Sequence, residues 1–577
     1  MLKLTFQAPT SSRRLPFGLA DVAVILGALV VLALIARVGS GAFVAFVPPN
    51  TLPKVSLDRA MLPYYAGRSM LRMLVALLAS TLFTFVYGWL AAKSRRLERV
   101  LVPLLDILQS VPVLGFLSIT VTGFIALFPG SLLGLEAASI FAIFTAQAWN
   151  MTFSFYQSLR TVPNDLLEAS ALYRLSGWQR FRQIEAPVAM IGVVWNAMLG
   201  FGGGWFFLSA SEAISVLNKD YTLPGIGSYV AVAAGARDMG ALAWAALTIA
   251  IVIILTDQLL WKPLVAWSDK FRLETSASGD PPQSWIYDLV RTSRIPHVLG
   301  AVTEPIFDAV NGLLDRLTAV RISRTETPPP NPVLDRVYDI ALLVAVALLV
   351  VAGGNFVVRE VGVHEVFRAF GLGLLTLGRV FILLIFASLV WTPIGVAIGL
   401  DPRLTRALMP VVQFLSSFPS SFVFPFAAFA FITYHIDIGW GSIALMALGA
   451  QWYILFNSIA GAAAIPTELR EMTRDLGVRG WKLWRTLIIP GIFSTWVTGA
   501  ITASGGAWNA SIVSEVVAWG AKPLVAHGLG SYIAEATGKG DWPRITLGVS
   551  IMSLFVVAIN RVLWRRLYRL AEAKYRL

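Results

Sequence analysis

Four charged residues stand in stretches of sequence that water should not reach. Glu212 and Glu515 close two strongly apolar runs, each seven residues after a tryptophan, Trp205 or Trp508, and nine after a glycine pair, Gly202-Gly203 or Gly505-Gly506. Arg72 and Arg379 sit inside two other apolar runs. An ionised group in hydrocarbon is costly, and it marks a place where ions are handled or helices are locked. None of these groups can make or break bonds alone. A guanidinium here can draw an anion along a pore, snorkel to the headgroups, or pair with a carboxylate such as Glu212. The glycine pairs permit close helix approach or a local break. Together Arg72, Gly202, Gly203, Trp205, Glu212 and Arg379, Gly505, Gly506, Trp508, Glu515 are the candidate lining of a passage. The alternative is helix packing with an interfacial carboxylate. A partly polar stretch, Asp106, Gln109 and Ser110, leads to Pro112, where the second half has Gln413, Ser416 and Ser417, so a pore site there would be only pseudo-symmetric.

Catalysis has no components. With no cysteine, disulfides, thiolate-bound zinc and iron–sulfur clusters are excluded. The four histidines, at 297, 364, 435 and 527, lack metal-ligand spacing, so no metal site is expected. No phosphate-binding G-x-x-x-x-G-K-[ST] run occurs. The nearest fragment, Gly538-Lys539-Gly540, lacks the hydroxyl that would hold Mg²⁺. No catalytic residue and no cofactor are expected in this chain.

The elements that would carry these residues are membrane helices. Of 577 residues 56% are hydrophobic and 14% charged, and the mean hydropathy is +0.71. Soluble chains carry about 25% charged residues. Runs of about 20 apolar residues cross a bilayer as helices. Twelve are expected, near 17–37, 68–92, 106–128, 134–157, 187–210 and 240–261, then 335–357, 375–399, 413–433, 438–462, 488–510 and 543–563. The first reads as a retained span, with no small-residue cleavage pattern before Arg37. Basic clusters precede span one and follow spans two, four, six, eight, ten and twelve. With both termini cytoplasmic, all fall on one side, which explains the net charge of +13 without nucleic acid. Residues 270–334 are polar, with the run TPPPNP at 327–332. They read as a cytoplasmic linker with one amphipathic helix after Thr303, built on Ile306, Phe307, Val310, Leu313, Leu314 and Leu317. That helix would lie on the lipid surface or pack on the bundle.

The chain repeats itself. At a shift of 307, Arg72, Gly88, Pro103 and Pro112 meet Arg379, Gly395, Pro410 and Pro419. At 303, Trp149, Pro163, Glu168, Trp178, Pro187, Gly202, Trp205, Glu212, Asp238 and Trp261 meet their like. The fold class is therefore an all-α polytopic membrane protein of two parallel six-span repeats, 1–269 and 335–577, around the linker 270–334.

The polar loops after spans four and ten read PNDLLEASALYRLSGWQRFRQIEAP (163–187) and PTELREMTRDLGVRGWKLWRTLIIP (466–490). Helix-forming on both sides of a glycine-bearing centre, each reads as a helix–turn–helix at the membrane face. They resemble the Glu-Ala-Ala coupling loop of binding-protein-dependent ABC importer permeases, which runs Glu-Ala-Ala, three residues, Gly, and Pro thirteen later. The first copy has Glu168, Ala169 and Pro187, with Arg174 at the Gly position and Gly177 three residues on. The second has Glu471, Gly477 and Pro490, with Met472 and Thr473 for the alanines. Arg174 leaves the turn to a right-handed or a tolerated left-handed conformation. The resemblance covers nearly the whole chain. It implies the type I importer-permease fold in a bacterial inner membrane. It also implies two copies of an ATPase subunit, which bind ATP and Mg²⁺, seated on the loops at Glu168, Ala169, Arg174, Gly177, Trp178, Phe181 and Pro187, and at Glu471, Gly477, Trp481, Trp484 and Pro490. A solute-binding protein on the outer loops would deliver the cargo. The fused halves and Ser176–Phe181 look most like the nitrate/sulfonate/taurine/bicarbonate branch, so a small oxyanion is expected, with ferric-iron permeases as the alternative. A major-facilitator transporter would also have twelve spans, but AAKSRRLERV after span two lacks the pattern expected of it.

Overall fold

A computed structural model describes residues 18–40, 54–110, 113–216, 219–271, 283–319, 332–520 and 523–574. Arg13, Arg14, Pro112 and most of TPPPNP lie outside these residues. The first half runs α1 (Leu19–Gly39), α2 (Leu62–Lys93), α3 (Arg95–Ser110), α4 (Leu117–Leu127), α5 (Leu133–Arg160), α6 (Asn164–Leu172), α7 (Gly177–Arg180), α8 (Ala186–Glu212), the hairpin β1 (Ala213–Val216) and β2 (Lys219–Thr222), α9 (Ile226–Ala236), α10 (Met239–Thr256) and α11 (Lys262–Ser268). Two linker helices follow, α12 (Trp285–Thr292) and α13 (Ile295–Ala319). The second half repeats the series as α14 (Pro332–Val361), α15 (Val363–Leu400), α16 (Pro402–Ser417), α17 (Phe424–Thr433), α18 (Ile438–Ala463), α19 (Thr467–Asp475), α20 (Gly480–Leu483) and α21 (Ile489–Ser514). After β3 (Val516–Val517) and β4 (Leu524–Val525) come α22 (Leu529–Lys539), α23 (Trp542–Ile559) and α24 (Arg565–Lys574).

The repeat holds in detail. Hairpin register pairs Ala213 with Thr222 and Val516 with Val525, the same positions shifted by 303. Asp238 and Asp541 each cap a helix start, accepting from the N–H of Ala241 and Arg544. Single π-turns interrupt the chain at Phe181–Glu185 and Trp484–Ile488, and again at Asp257–Trp261 and Asn560–Trp564. In each half one long helix is central: α5 packs on α2 and α8, and α18 on α15 and α21.

Among the described residues nine helices are long and apolar enough to span a membrane, ten if the bent pair α16 and α17 counts as one. The remaining two of the twelve expected spans differ in kind. α5 covers 133–160 as one helix but is more polar, with Glu136, Gln147 and Asn150. The expected span 106–128 is not continuous: α3 ends at Ser110 and α4 begins at Leu117, after a 3₁₀ turn at Val113–Phe116. Its counterpart bends by 70° between Ser417 and Ser420. Pro419 is the physical reason there. It forces Phe418 into extended backbone (ψ 123°), which ends α16. At these breaks the halves meet: the turn Val113–Phe116 packs on α21, α22 and α23, and α16 with the turn Ser420–Phe422 packs on α8. Leu114, Leu117 and Val121 are buried in the core of the second half, and Phe422, Phe424 and Ala428 in the core of the first.

The linker helix begins earlier than expected. Ser293 Oγ accepts from the N–H of Ile295, so α13 starts there and Thr303 lies inside it, bonded to the Gly300 carbonyl.

Candidate functional site: paired loops, buried ion clusters and the cavity between the halves

The two polar loops fold alike. α6 and α19 each end in a left-handed residue, Arg174 at φ 50° and Gly477 at φ 63°. In both, the next N–H closes a six-residue bond, Leu175 to Ser170 O at 3.0 Å and Val478 to Thr473 O at 2.9 Å. Arg174 therefore adopts the conformation a glycine would supply. Glu168 and Glu471 are exposed on α6 and α19, Ala169 is half-buried, and Gly177 and Gly477 are exposed. Trp178 stacks on Phe181 with ring centroids 5.4 Å apart, and Phe181 packs edge-on against Phe85 and Phe155. Trp481 is 72% exposed, and with Trp484 it lines an apolar groove. Pro187 and Pro490 lie inside the continuous helices Gly177–Glu212 and Gly480–Ser514, directly after the π-turns, where the ladder is already loosened and the missing N–H costs least.

The loops are fastened differently. In the first, the buried Glu185 pairs with Lys93 at the end of α2 and with Arg180 at 2.8 Å. In the second the corresponding residues are Ile488, Leu400 and Leu483, part of one apolar cluster.

At the opposite ends of these helices lie the intramembrane charges. Glu212, fully buried, accepts from Arg72 Nη1 at 2.5 Å, from Ser69 Oγ at 2.6 Å and from the Gly227 N–H at 2.7 Å. Ser69 Oγ accepts from the Ile226 N–H at 3.0 Å. The carboxylate thus ties α8 to α2 and to the start of α9. Gly227 is required: a Cβ there would stand 2.7 Å from Ser209 Cα. Glu515 repeats the arrangement, accepting from Arg379 Nη1 and Thr376 Oγ1, each at 2.8 Å, and from the Ser531 N–H at 3.0 Å. The first half adds two buried ions: Glu136 on α5 accepts from Arg72 Nε at 2.5 Å and from Arg68. Sequence reasoning passed over Arg68 and Glu136. The signal was present, since both are ionisable residues in predicted membrane helices and Arg68 lies one helical turn from Arg72.

The glycine pairs are elsewhere. Gly202, Gly203, Gly505 and Gly506 line a cavity of about 240 Å³ between the halves, with Gln109, Asn150, Gln413, Ser416, Ser417, Tyr453 and Asn509. Among the described residues no Asp, Glu, Lys, Arg or His lines it. Arg72, Glu212, Arg379 and Glu515 do not reach it, nor do Trp205 and Trp508. Trp205 packs edge-on against Phe201 and Trp508 stacks on Phe555, both buried. The side chains of Asp106 and Ser110 lie outside the described residues. The halves close around this cavity through the Val113 N–H, which donates to Asn509 Oδ1 at 3.1 Å, and the paired hydroxyls of Ser209 and Ser421.

Two parallel six-helix repeats that enclose a cavity lined by residues of both define a membrane permease. The chain belongs to the family described as binding-protein-dependent transport system inner membrane component, which it matches twice, over 59–260 and 391–577. It is a fused, two-repeat member of that ABC permease family. Among its relatives is the nitrate import permease protein NrtB of Leptolyngbya laminosa, 24% identical over 185 residues, 32% of this chain and 63% of the relative. Another is the bicarbonate transport system permease protein CmpB of Synechocystis sp., 27% identical over 188 residues, 33% and 64%. The taurine transport system permease protein TauC of Escherichia coli is 24% identical over 197 residues, 33% and 67%. The chain thus spans under two thirds of the nitrate and bicarbonate relatives named here.

Proposed function

We propose that this chain is the translocation subunit of an ATP-driven importer for a small oxyanion, and that it hydrolyses no ATP itself. The cavity carries the reading: it is lined by both halves and takes a glycine pair from each. Amide and hydroxyl groups on its wall, such as Asn150, Ser417 and Asn509, can hydrogen-bond an oxyanion and let it go, where a fixed charge would hold it. The names of the nitrate, bicarbonate and taurine relatives support this cargo class. Two ATPase subunits dock on the loops around Glu168 and Glu471, and a solute-binding protein meets the opposite face. Nucleotide binding drives the halves between inward- and outward-facing states.

The test is co-purification of the tagged chain from its own membranes, followed by assay of ATP hydrolysis and of nitrate, bicarbonate and taurine uptake. An accompanying ATPase whose activity depends on this chain, with uptake of one of these anions, is the expected result. A lone chain that moves solute on an ion gradient would overturn the proposal.

A further inference from the structure

The linker helix rests on one polar loop and not on the other. α13 is tied at both ends. At its start Asp21 of α1 accepts from Ser293 Oγ at 2.8 Å and from the Arg294 N–H at 2.6 Å. Toward its end it presents Asn311 and Asp315 to the turn of the first loop. Ser176 Oγ donates to Asp315 Oδ1 at 2.6 Å, the Trp178 indole N–H to Asn311 Oδ1 at 2.9 Å, and Gln179 Nε2 to Asp315 Oδ2 at 3.4 Å. The tip of that loop stays open: Leu172 is 80% exposed and Tyr173 76%.

The second loop has the same backbone and the opposite chemistry. Where the first has Ser176 and Gln179, it has Arg479 and Lys482, both exposed. Residues 466–490 carry five basic and three acidic side chains, whereas 163–187 carry three of each. On the first loop a carboxylate from within the chain meets neutral donors. On the second, cations face outward, and among the described residues no acidic helix lies over them.

We propose that α13 is a permanent part of the first ATPase-docking surface, so that the chain offers two chemically different docking faces. One is a near-neutral face built from loop one and braced by α13. The other is a bare basic face at loop two, which fits a partner surface rimmed with carboxylates. The inference rests on the reading of both loops as ATPase-docking elements. It adds that an acidic patch on the ATPase matters at the second face and not at the first.

The chain has no cysteine of its own, so Ser176→Cys with Asp315→Cys creates a single cross-linkable pair. Oxidation in native membranes is expected to join these residues, and the joined chain, purified with the ATPase that accompanies it, should keep as much ATPase as the reduced chain. Asn311→Ala with Asp315→Ala should halve the ATPase retained per chain. Arg479→Glu with Lys482→Glu should also halve it, by emptying the other face. Three results would overturn the inference. They are absence of the cross-link, ATPase lost on cross-linking and regained on reduction (the helix must then leave before docking), or full ATPase retention by the Asn311/Asp315 variant. Failure of the underlying reading looks different, because then no ATPase accompanies even the unaltered chain.

Discussion

The two halves solve the same mechanical problems with different side chains. At one end, the first half joins α2, α5 and α8 through Arg68, Arg72, Glu136 and Glu212, while the second joins α15 and α21 through Arg379 and Glu515, with Thr376. At the other end, the first half fastens its loop with the ion triad Lys93–Glu185–Arg180 and the second with Leu400, Ile488 and Leu483. The repeat therefore conserves where the brace is needed, not its chemistry. Desolvating an ion pair roughly cancels its attraction, so a well-packed aliphatic cluster can serve as well. Removing one ion from a buried group is another matter, because its partner is left in a medium that cannot solvate it.

That asymmetry can be broken by substitution. The largest effect is expected for Arg72→Ala, which strips Glu136 and Glu212 of their shared cation, at about 3–5 kcal/mol. Arg379→Ala removes a single charged hydrogen bond from a partly accessible site and should cost about 1.5–3 kcal/mol. Thermal unfolding of the two purified variants measures the gap, and equal losses would show that the extra ions of the first half brace nothing. Next, Glu185→Ala should cost about 2–3 kcal/mol, discounted because Lys93 and Arg180 are about a third exposed. The triple exchange Lys93→Leu, Arg180→Leu and Glu185→Ile, which copies the second half, should be neutral or stabilising. A triple variant less stable than Glu185→Ala would refute the equivalence.

Glu168→Ala with Glu471→Ala tests the shared role of the loops. Coupled ATP hydrolysis should fall about fivefold or more, equivalent to at least ~1 kcal/mol of coupling, with membrane insertion intact. Unchanged coupling would remove these glutamates from the docking surface. The smallest effect is at the loop turn. Arg174→Gly should raise stability by about 1 kcal/mol by relieving the left-handed arginine, and Gly477→Arg should lower it by a similar amount. Shifts of the same sign in the melting curves would contradict the shared turn geometry.

Much of this molecule was legible in its sequence because membrane helices and repeats leave one-dimensional traces. Apolar runs, basic clusters and two registers of self-similarity are local or periodic, and they gave the halves, the loops and most of the spans. The turn at Arg174 was left open between two hands by the sequence, and the structure makes it left-handed, as at Gly477 in the other copy. The glycine pairs were readable as places of close approach or of a local break, and the structure puts all four on one cavity. The tertiary structure alone decided three things. It placed the cavity away from the buried charges, because Arg72 and Glu212 are drawn to each other and to Glu136 across three helices. It broke the third span of each half and set the turn Val113–Phe116 against α21, α22 and α23, and α16 with the turn Ser420–Phe422 against α8, since proline fixes where a helix stops but not what the next segment packs against. It set α13 on the first loop alone: amphipathic spacing marks a helix with two faces, while the partner of the polar face depends on Ser176, Trp178 and Gln179, more than a hundred residues away.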